Sequence, residues 1–250
     1  MLYTFAIDAL LAPIGYLIAV AARVQYGALL LPLPLVVLLA LHARERRQRF
    51  DSILELSNAY RGTSFLLGDV IEADDAYTGE HSREVVELVD KVSVQLGLSA
   101  RDRRLAEFTA LLHDVGKIRI PKAIINKPGA LDPKERAIIE THTIEGERLL
   151  KRVGGLLEEV GHLVRSCHER WDGAGYPDGL REQEIPLVAR IVGCCDAYNA
   201  MTTTRSYRSA MTPEAALREV HAHSGAQFDP AVVEALMRIV APSAADGSAA

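Results

Sequence analysis

The sequence predicts an all-α fold. Helix-opening signals recur along the chain, and no stretch shows the strict apolar–polar alternation of a half-buried strand. Glycine and proline punctuate the apolar segments at helical lengths.

The first element is apolar. Residues 2–22 carry one charge, Asp8, and residues 24–41 carry none. At 1.5 Å per residue, about 18 residues reach roughly 27 Å, close to the hydrocarbon thickness of a bilayer. Pro32 and Pro34 are tolerated in membrane helices. With Arg23 between the two stretches, residues 1–42 are expected to form a hairpin of two transmembrane helices, Asp8 reaching the interface. A cleaved signal peptide is the alternative, but the basic leading region is missing. Arg44, Arg46, Arg47 and Arg49 follow directly and place the rest of the chain on the cytoplasmic side.

Residues 43–73 are expected to form a connecting helix. Ile53, Leu56, Tyr60, Thr63, Leu67 and Val70 step by three and four, a heptad seam. The seam either pairs with its copy in a homodimer as a signalling coiled coil or buries itself within the following domain. Both readings remain open.

Residues 74–240 read as one helical domain. Asp132 is placed as N-cap, Pro133 at the first helical position and Glu135 three residues into the helix, a capping box. That helix is expected to run to about Val153 and stop at Gly154-Gly155. Ile185-Pro186, Thr212-Pro213-Glu214 and Asp229-Pro230 open further helices. Gly116 is expected to stop a helix that starts near Ala100. Residues 241–250, small and polar, are expected to be disordered.

Composition narrows the function. Apolar residues make up 49% and charged residues 24% of the 250, an ordinary globular balance. A net charge of −5 gives no basic footprint, so no nucleic-acid polymer is expected as partner. Aromatics at 6%, with one Trp, argue against a stacking platform for single strands. Three cysteines, an odd number, fit reduced thiols better than a disulfide framework.

Metal-ligating residue types recur along the helices: His81 near a helix start, the pair His113-Asp114 near a helix C-terminus, His142 mid-helix, His168 at the end of the next helix, and Asp196 within the helix opened by Pro186. Imidazole and carboxylate together suit Fe, Mn or Zn, and a two-oxygen Asp can bridge two metals. Singly, each histidine is weak. The stretch from His168 to Gly179 (His-Glu-Arg-Trp-Asp-Gly-Ala-Gly-Tyr-Pro-Asp-Gly) changes this. Its glycines and proline specify a backbone, and it sets Trp171 and Tyr176 beside a ligand-type residue.

At these residues the chain resembles the HD-GYP domain, a branch of the HD metal-dependent phosphohydrolases. The likeness spans His113-Asp114-Val115-Gly116-Lys117, the stretch from His168 to Pro177, His142-Thr143-Ile144-Glu145-Gly146 and Cys195-Asp196-Ala197-Tyr198-Asn199. It also takes in Thr78-Gly79-Glu80-His81-Ser82-Arg83, Lys127-Pro128-Gly129-Ala130-Leu131 and Arg205-Ser206-Tyr207-Arg208.

The resemblance implies an HD-type helical bundle that hydrolyses cyclic di-GMP to linear pGpG, GMP or both, through a metal-bridging hydroxide. It implies two divalent metal ions, Fe or Mn, held by His81, His113, Asp114, His142, His168 and Asp196. His113, Asp114 and Lys117 would be catalytic. Lys117, Gly175, Tyr176, Arg205 and Arg208 would meet the substrate. With the apolar hairpin, it implies a bacterial signalling enzyme in the inner membrane, its catalytic domain cytoplasmic.

The chain departs from that pattern in places. Cys167 stands where many members have a histidine, and is either a thiolate ligand or a buried, inert thiol. Tyr77 replaces a Glu of three-metal members; Thr204 and Ser206 replace a common Asp and Pro. Cys194 and Cys195 read as core. Two alternatives stay open: an HD phosphohydrolase acting on another nucleotide, and a non-catalytic module that binds cyclic di-GMP or a partner.

Overall fold

The computed structural model describes residues 12, 15–17, 19–21, 23, 33–73, 81–204 and 210–240. The chain divides into two units, residues 1–60 and 61–250.

In the first unit the main described element is the leading part of helix α1 (Leu33–Ala73), whose remainder from Arg61 belongs to the second unit. No described helix is long and apolar enough to cross a membrane. This corrects the expected transmembrane hairpin and the inner-membrane location built on it. The described helix runs from Leu33 and meets His42 and Arg44 within three turns. Its apolar part is about 9 residues, or roughly 14 Å, half of what a span needs. Residues 24–32, which the expected span also requires, lie outside the described residues. α1 does cover the connecting helix. Of the heptad seam, Thr63 is exposed, and the other five side chains lie outside the description.

The second unit is helical, and among the described residues its only β feature is a single bridge between Ser224 and Phe228. It contains α2 (His81–Gln95), α3 (Ala100–Leu112), α4 (Lys122–Ile125), α5 (Pro133–Glu140) and α6 (His142–Val153). Then follow α7 (Leu156–Arg165), α8 (Leu187–Thr202), α9 (Pro213–Ala222) and α10 (Pro230–Val240). Short 3-10 helices occupy Val115–Arg119 and Glu182–Glu184.

The helix starts follow their capping chemistry. The Ser99 hydroxyl accepts from the Asp102 amide to open α3, and Thr212 caps α9 through the Ala215 amide. The capping box at Asp132 and Glu135 forms with Pro133 at the first position. Asp229 accepts from the Ala231 amide at the head of α10.

Two boundaries differ from expectation. The helix opened at Asp132 breaks at Thr141, whose hydroxyl donates to the Ile138 carbonyl. α6 therefore starts at His142 and places it at a helix head rather than mid-helix. α3 stops at Leu112, before Gly116, which lies inside the 3-10 turn instead. A Cβ at Gly116 would overlap the His142 carbonyl oxygen, so the residue is glycine because two backbones meet there.

The core lies around α3 and α8. Val85, Val89 and Val92 of α2 form a four-and-three-step stripe, fully buried against both. Each such side chain stabilises the fold by about 1.5–3 kcal/mol relative to exposure. From Leu105 to Leu112 the last turns of α3 are buried except at Glu107. α3 therefore delivers its next residues, His113 and Asp114, into the interior. α6 packs on α7 and on the 3-10 turn, while α9 and α10 pack on α8.

Candidate metal centre

Four segments meet behind the end of α3. The turn after α3 brings His113, Asp114 and Lys117; the head of α6 brings His142; the loop after α7 brings His168; α8 brings Asp196. Asp114 Oδ2 lies 3.4 Å from His113 Nε2, and Asp114 Oδ1 lies 3.5 Å from His142 Nε2. Asp196 Oδ1 lies 3.8 Å from His113 Nε2. Ligand atoms of Asp114, His142 and His168 all fall within 4.8 Å of one another. Two ligands each about 2.1 Å from one ion sit roughly 3–3.5 Å apart, so these spacings suit a metal.

The imidazoles are set for ligation. His113 Nδ1 lies 2.8 Å from the Ala110 carbonyl oxygen, and His142 Nδ1 lies 2.7 Å from that of Ile139. A carbonyl can only accept, so Nδ1 carries the proton and Nε2 presents its lone pair. The Nε2 atoms of His142 and His168 are buried with no hydrogen-bond partner. Two orphaned ring nitrogens beside a shared carboxylate are costly in a protein interior and natural in a metal site. The donor set fits a divalent ion held by nitrogen and oxygen.

The charges agree. Burial disfavours the Asp114 carboxylate, yet Lys117 and His113 hold its pKa well below the usual range. Burial, helped by the adjacent His142, lowers His168 to about 4. Burial also lowers His142. At neutral pH these three groups are an anion and two neutral imidazoles, the forms a metal requires. At His113 burial is outweighed by Asp114 and Asp196, and the pKa rises.

Lys117 Nζ sits 2.8 Å from Asp114 Oδ2. The Tyr176 ring stacks on His168, centroids 5.2 Å apart and planes 16° apart. Burial, with Asp114 and Glu140 nearby, raises the Tyr176 pKa, so the phenol stays a neutral donor. A cavity of about 300 Å³ opens beside the centre, lined by His168, Asp196, Tyr176, Arg136, Trp171 and Gln227 among others.

A Cβ at Gly175 would overlap the backbone of Glu169 and Arg170, so close packing of the loop on itself explains that glycine. Cys167 is 3% exposed, and its thiol donates to the Leu163 carbonyl at 3.3 Å. Burial pushes its pKa up, which agrees with the inert-thiol reading. Cys194 and Cys195 are fully buried core residues. His81 opens α2, but its side chain lies outside the description, as do Arg205 and Arg208 entirely.

Sequence reasoning missed the residues that hold the loop. Glu169 Oε1 accepts from the Asp178 and Gly179 amides at 2.7 and 3.1 Å. Arg165 grips Asp178 with two hydrogen bonds of 2.7 Å. Trp171 and Asp172 donate from their amides to the Gln227 and Ala226 carbonyls. These partners lie as far apart in sequence as Trp171 and Gln227, and no local motif announces them.

Residues 66–232 match the model of a known family, described as "HD domain". The chain belongs to the HD-domain family. Curated relatives of this HD-domain chain include a cyclic di-GMP phosphodiesterase of Thermotoga maritima, 38% identical over 70% of this chain and 48% of that one. The cyclic di-GMP phosphodiesterase response regulator RpfG of Xanthomonas campestris is 39% identical over 75% of this chain and 50% of its own length. A 3'3'-cGAMP-specific phosphodiesterase of Vibrio cholerae is 32% identical over 76% of this chain. The chain thus spans about half the length of the first two. Among solved structures, a cyclic GMP-AMP phosphodiesterase of V. cholerae shares the fold, with TM-score 0.55, 24% identity and coverage of 71% and 48% of the two chains. An HD-GYP-type protein of Bdellovibrio bacteriovorus has a TM-score of 0.52 at 24% identity, covering 64% and 51%.

Proposed function

We propose that this HD-domain chain is a metal-dependent phosphodiesterase that hydrolyses cyclic di-GMP to linear pGpG, GMP or both. The observation that carries the reading is the pair of orphaned Nε2 atoms, on His142 and His168, facing the Asp114 carboxylate. The relatives named as cyclic di-GMP phosphodiesterases supply the substrate class.

His113, Asp114, His142, His168 and Asp196 are proposed to hold two divalent ions, Fe or Mn, with His81 as a further ligand. The two oxygens of Asp114 face different imidazoles, the arrangement a bridging carboxylate needs. When bound, such ions acidify water and neutralise charge on a phosphodiester.

This chain's own residues do the remainder. Lys117 places an ammonium at Asp114, where it meets a non-bridging phosphate oxygen and offsets the charge that grows in the transition state. Tyr176 donates its phenolic proton toward the same phosphate or its leaving oxygen. The Gly175 backbone, Arg205 and Arg208 are proposed to hold the dinucleotide, the two arginines pairing with phosphate.

The V. cholerae relatives named for cGAMP make a second cyclic dinucleotide the natural competitor. The test is hydrolysis of cyclic di-GMP, 3'3'-cGAMP and cyclic di-AMP side by side with product separation. The reading expects cyclic di-GMP to be cleaved at least about tenfold faster than the others. Preference for cGAMP would move the substrate assignment, and no cleavage of any would return the chain to the non-catalytic reading.

A further inference from the structure

The loop carrying Tyr176 has no regular structure, yet its ring lies flat against His168. One guanidinium ties this loop to two helices. Arg165, the last residue of α7, donates through Nε and Nη2 to the two oxygens of Asp178, a bidentate fork at 2.7 Å on each side. Its remaining Nη1 donates to Glu147 Oε2 at 2.9 Å. Glu147 stands on α6, the helix that begins with His142. Asp178 lies two residues after Tyr176, and His168 lies three residues after Arg165.

A single side chain therefore ties together the segments that carry His142, His168 and Tyr176. From below, Glu169 Oε1 accepts the Asp178 and Gly179 amides, and the Tyr176 amide donates to the His168 carbonyl. The Arg165 side chain is 29% exposed and that of Glu147 17%, so the pair is partly shielded from solvent. A lysine could keep the charge but not the fork.

We propose that Arg165 is a positioning residue. Through Asp178 and Glu147 it fixes the Tyr176 ring over His168, and it acts on the substrate only through Tyr176. This rests on the phosphodiesterase reading for its kinetic consequence, but not for its structural one.

The experiment uses the full chain with Arg165→Gln and Arg165→Lys, each alone and with Tyr176→Ala. Hydrogen exchange of residues 174–180, metal content, and kcat and KM for cyclic di-GMP are measured together. Arg165→Gln is expected to keep its metal and helicity, to speed loop exchange about tenfold or more, and to lower kcat/KM about tenfold. Arg165→Lys falls between. On the Tyr176→Ala background, Arg165→Gln costs nothing further in kcat/KM.

Unchanged loop exchange overturns the proposal, and so does an undiminished kinetic loss on the Tyr176→Ala background. If Arg165→Gln does not fold, Asp178→Asn opens the same fork from the other side, and unchanged exchange there overturns it equally. A wild-type chain without turnover sinks the phosphodiesterase reading alone, because the exchange measurement still decides the clamp.

Discussion

Lys117 Nζ stands 2.8 Å from Asp114 Oδ2, while the other oxygen of that carboxylate faces His142 Nε2 at 3.5 Å. One partly buried anion thus serves an ammonium through one oxygen and an imidazole through the other. Replacing His113 and Asp114 together with alanine removes this hub. The expected outcome is loss of bound metal and a fall in phosphodiesterase activity of about a thousandfold or more. Helicity should stay largely intact, since the packed faces of α2, α3 and α8 are untouched. Metal analysis with circular dichroism on one sample checks this.

The metal-free protein should lose stability in acid. His168 has a folded pKa of about 4 against 6.5 when unfolded, so between these values the unfolded chain binds the extra proton. Stability therefore falls as pH drops from 6.5 to 4, by about 3 kcal/mol from this group. His142, also lowered by burial, works in the same direction. His113, raised by Asp114 and Asp196, contributes fully below 6.5 and loses its contribution as pH rises through its folded pKa. Urea unfolding of chelator-treated protein at pH 6.5 and 4.5 checks the sign; greater stability at 4.5 would contradict it.

Gly116→Ala should be far more damaging than its size suggests. Its Cβ would overlap the His142 carbonyl and the Gly146 amide, so the turn holding Asp114 and Lys117 must move off α6. A cost of about 3 kcal/mol is expected. Metal affinity should fall with it, because Asp114 and His142 would no longer meet. Chemical denaturation and metal titration of the variant test both effects.

Glu169→Ala leaves the Asp178 and Gly179 amides without their acceptor. The expected loss is about 2 kcal/mol, read as a lowered Tm. Glu169→Gln keeps an acceptor oxygen and should lose less than half as much.

Much of this fold can be read from the sequence where local chemistry decides. Asp132, Thr212 and Asp229 cap helices because each stands before a proline that must lie at a helix start. His113, Asp114, His142, His168 and Asp196 are legible as donors, and the structure brings them together. Thr141 was not legible as a break, because a threonine that bonds back to Ile138 looks like any helical threonine in sequence. Arg165 was invisible because its partners Glu147 and Asp178 are set by how α6, α7 and the loop pack. The apolar hairpin failed for another reason. Hydropathy counts residues, while a span needs a long apolar helix, and among the described residues none is long and apolar enough.

The most direct test of the metal-dependent phosphodiesterase uses the chain purified without oxygen and stripped by chelator. Fe or Mn is added back stepwise, and cyclic di-GMP hydrolysis is followed against metal bound per chain. The account predicts no turnover without metal, a rise that tracks occupancy to about two ions per chain, and a linear or mononucleotide product. A chain that fills with metal and leaves cyclic di-GMP intact, or one that cleaves it equally well when stripped, would contradict the account.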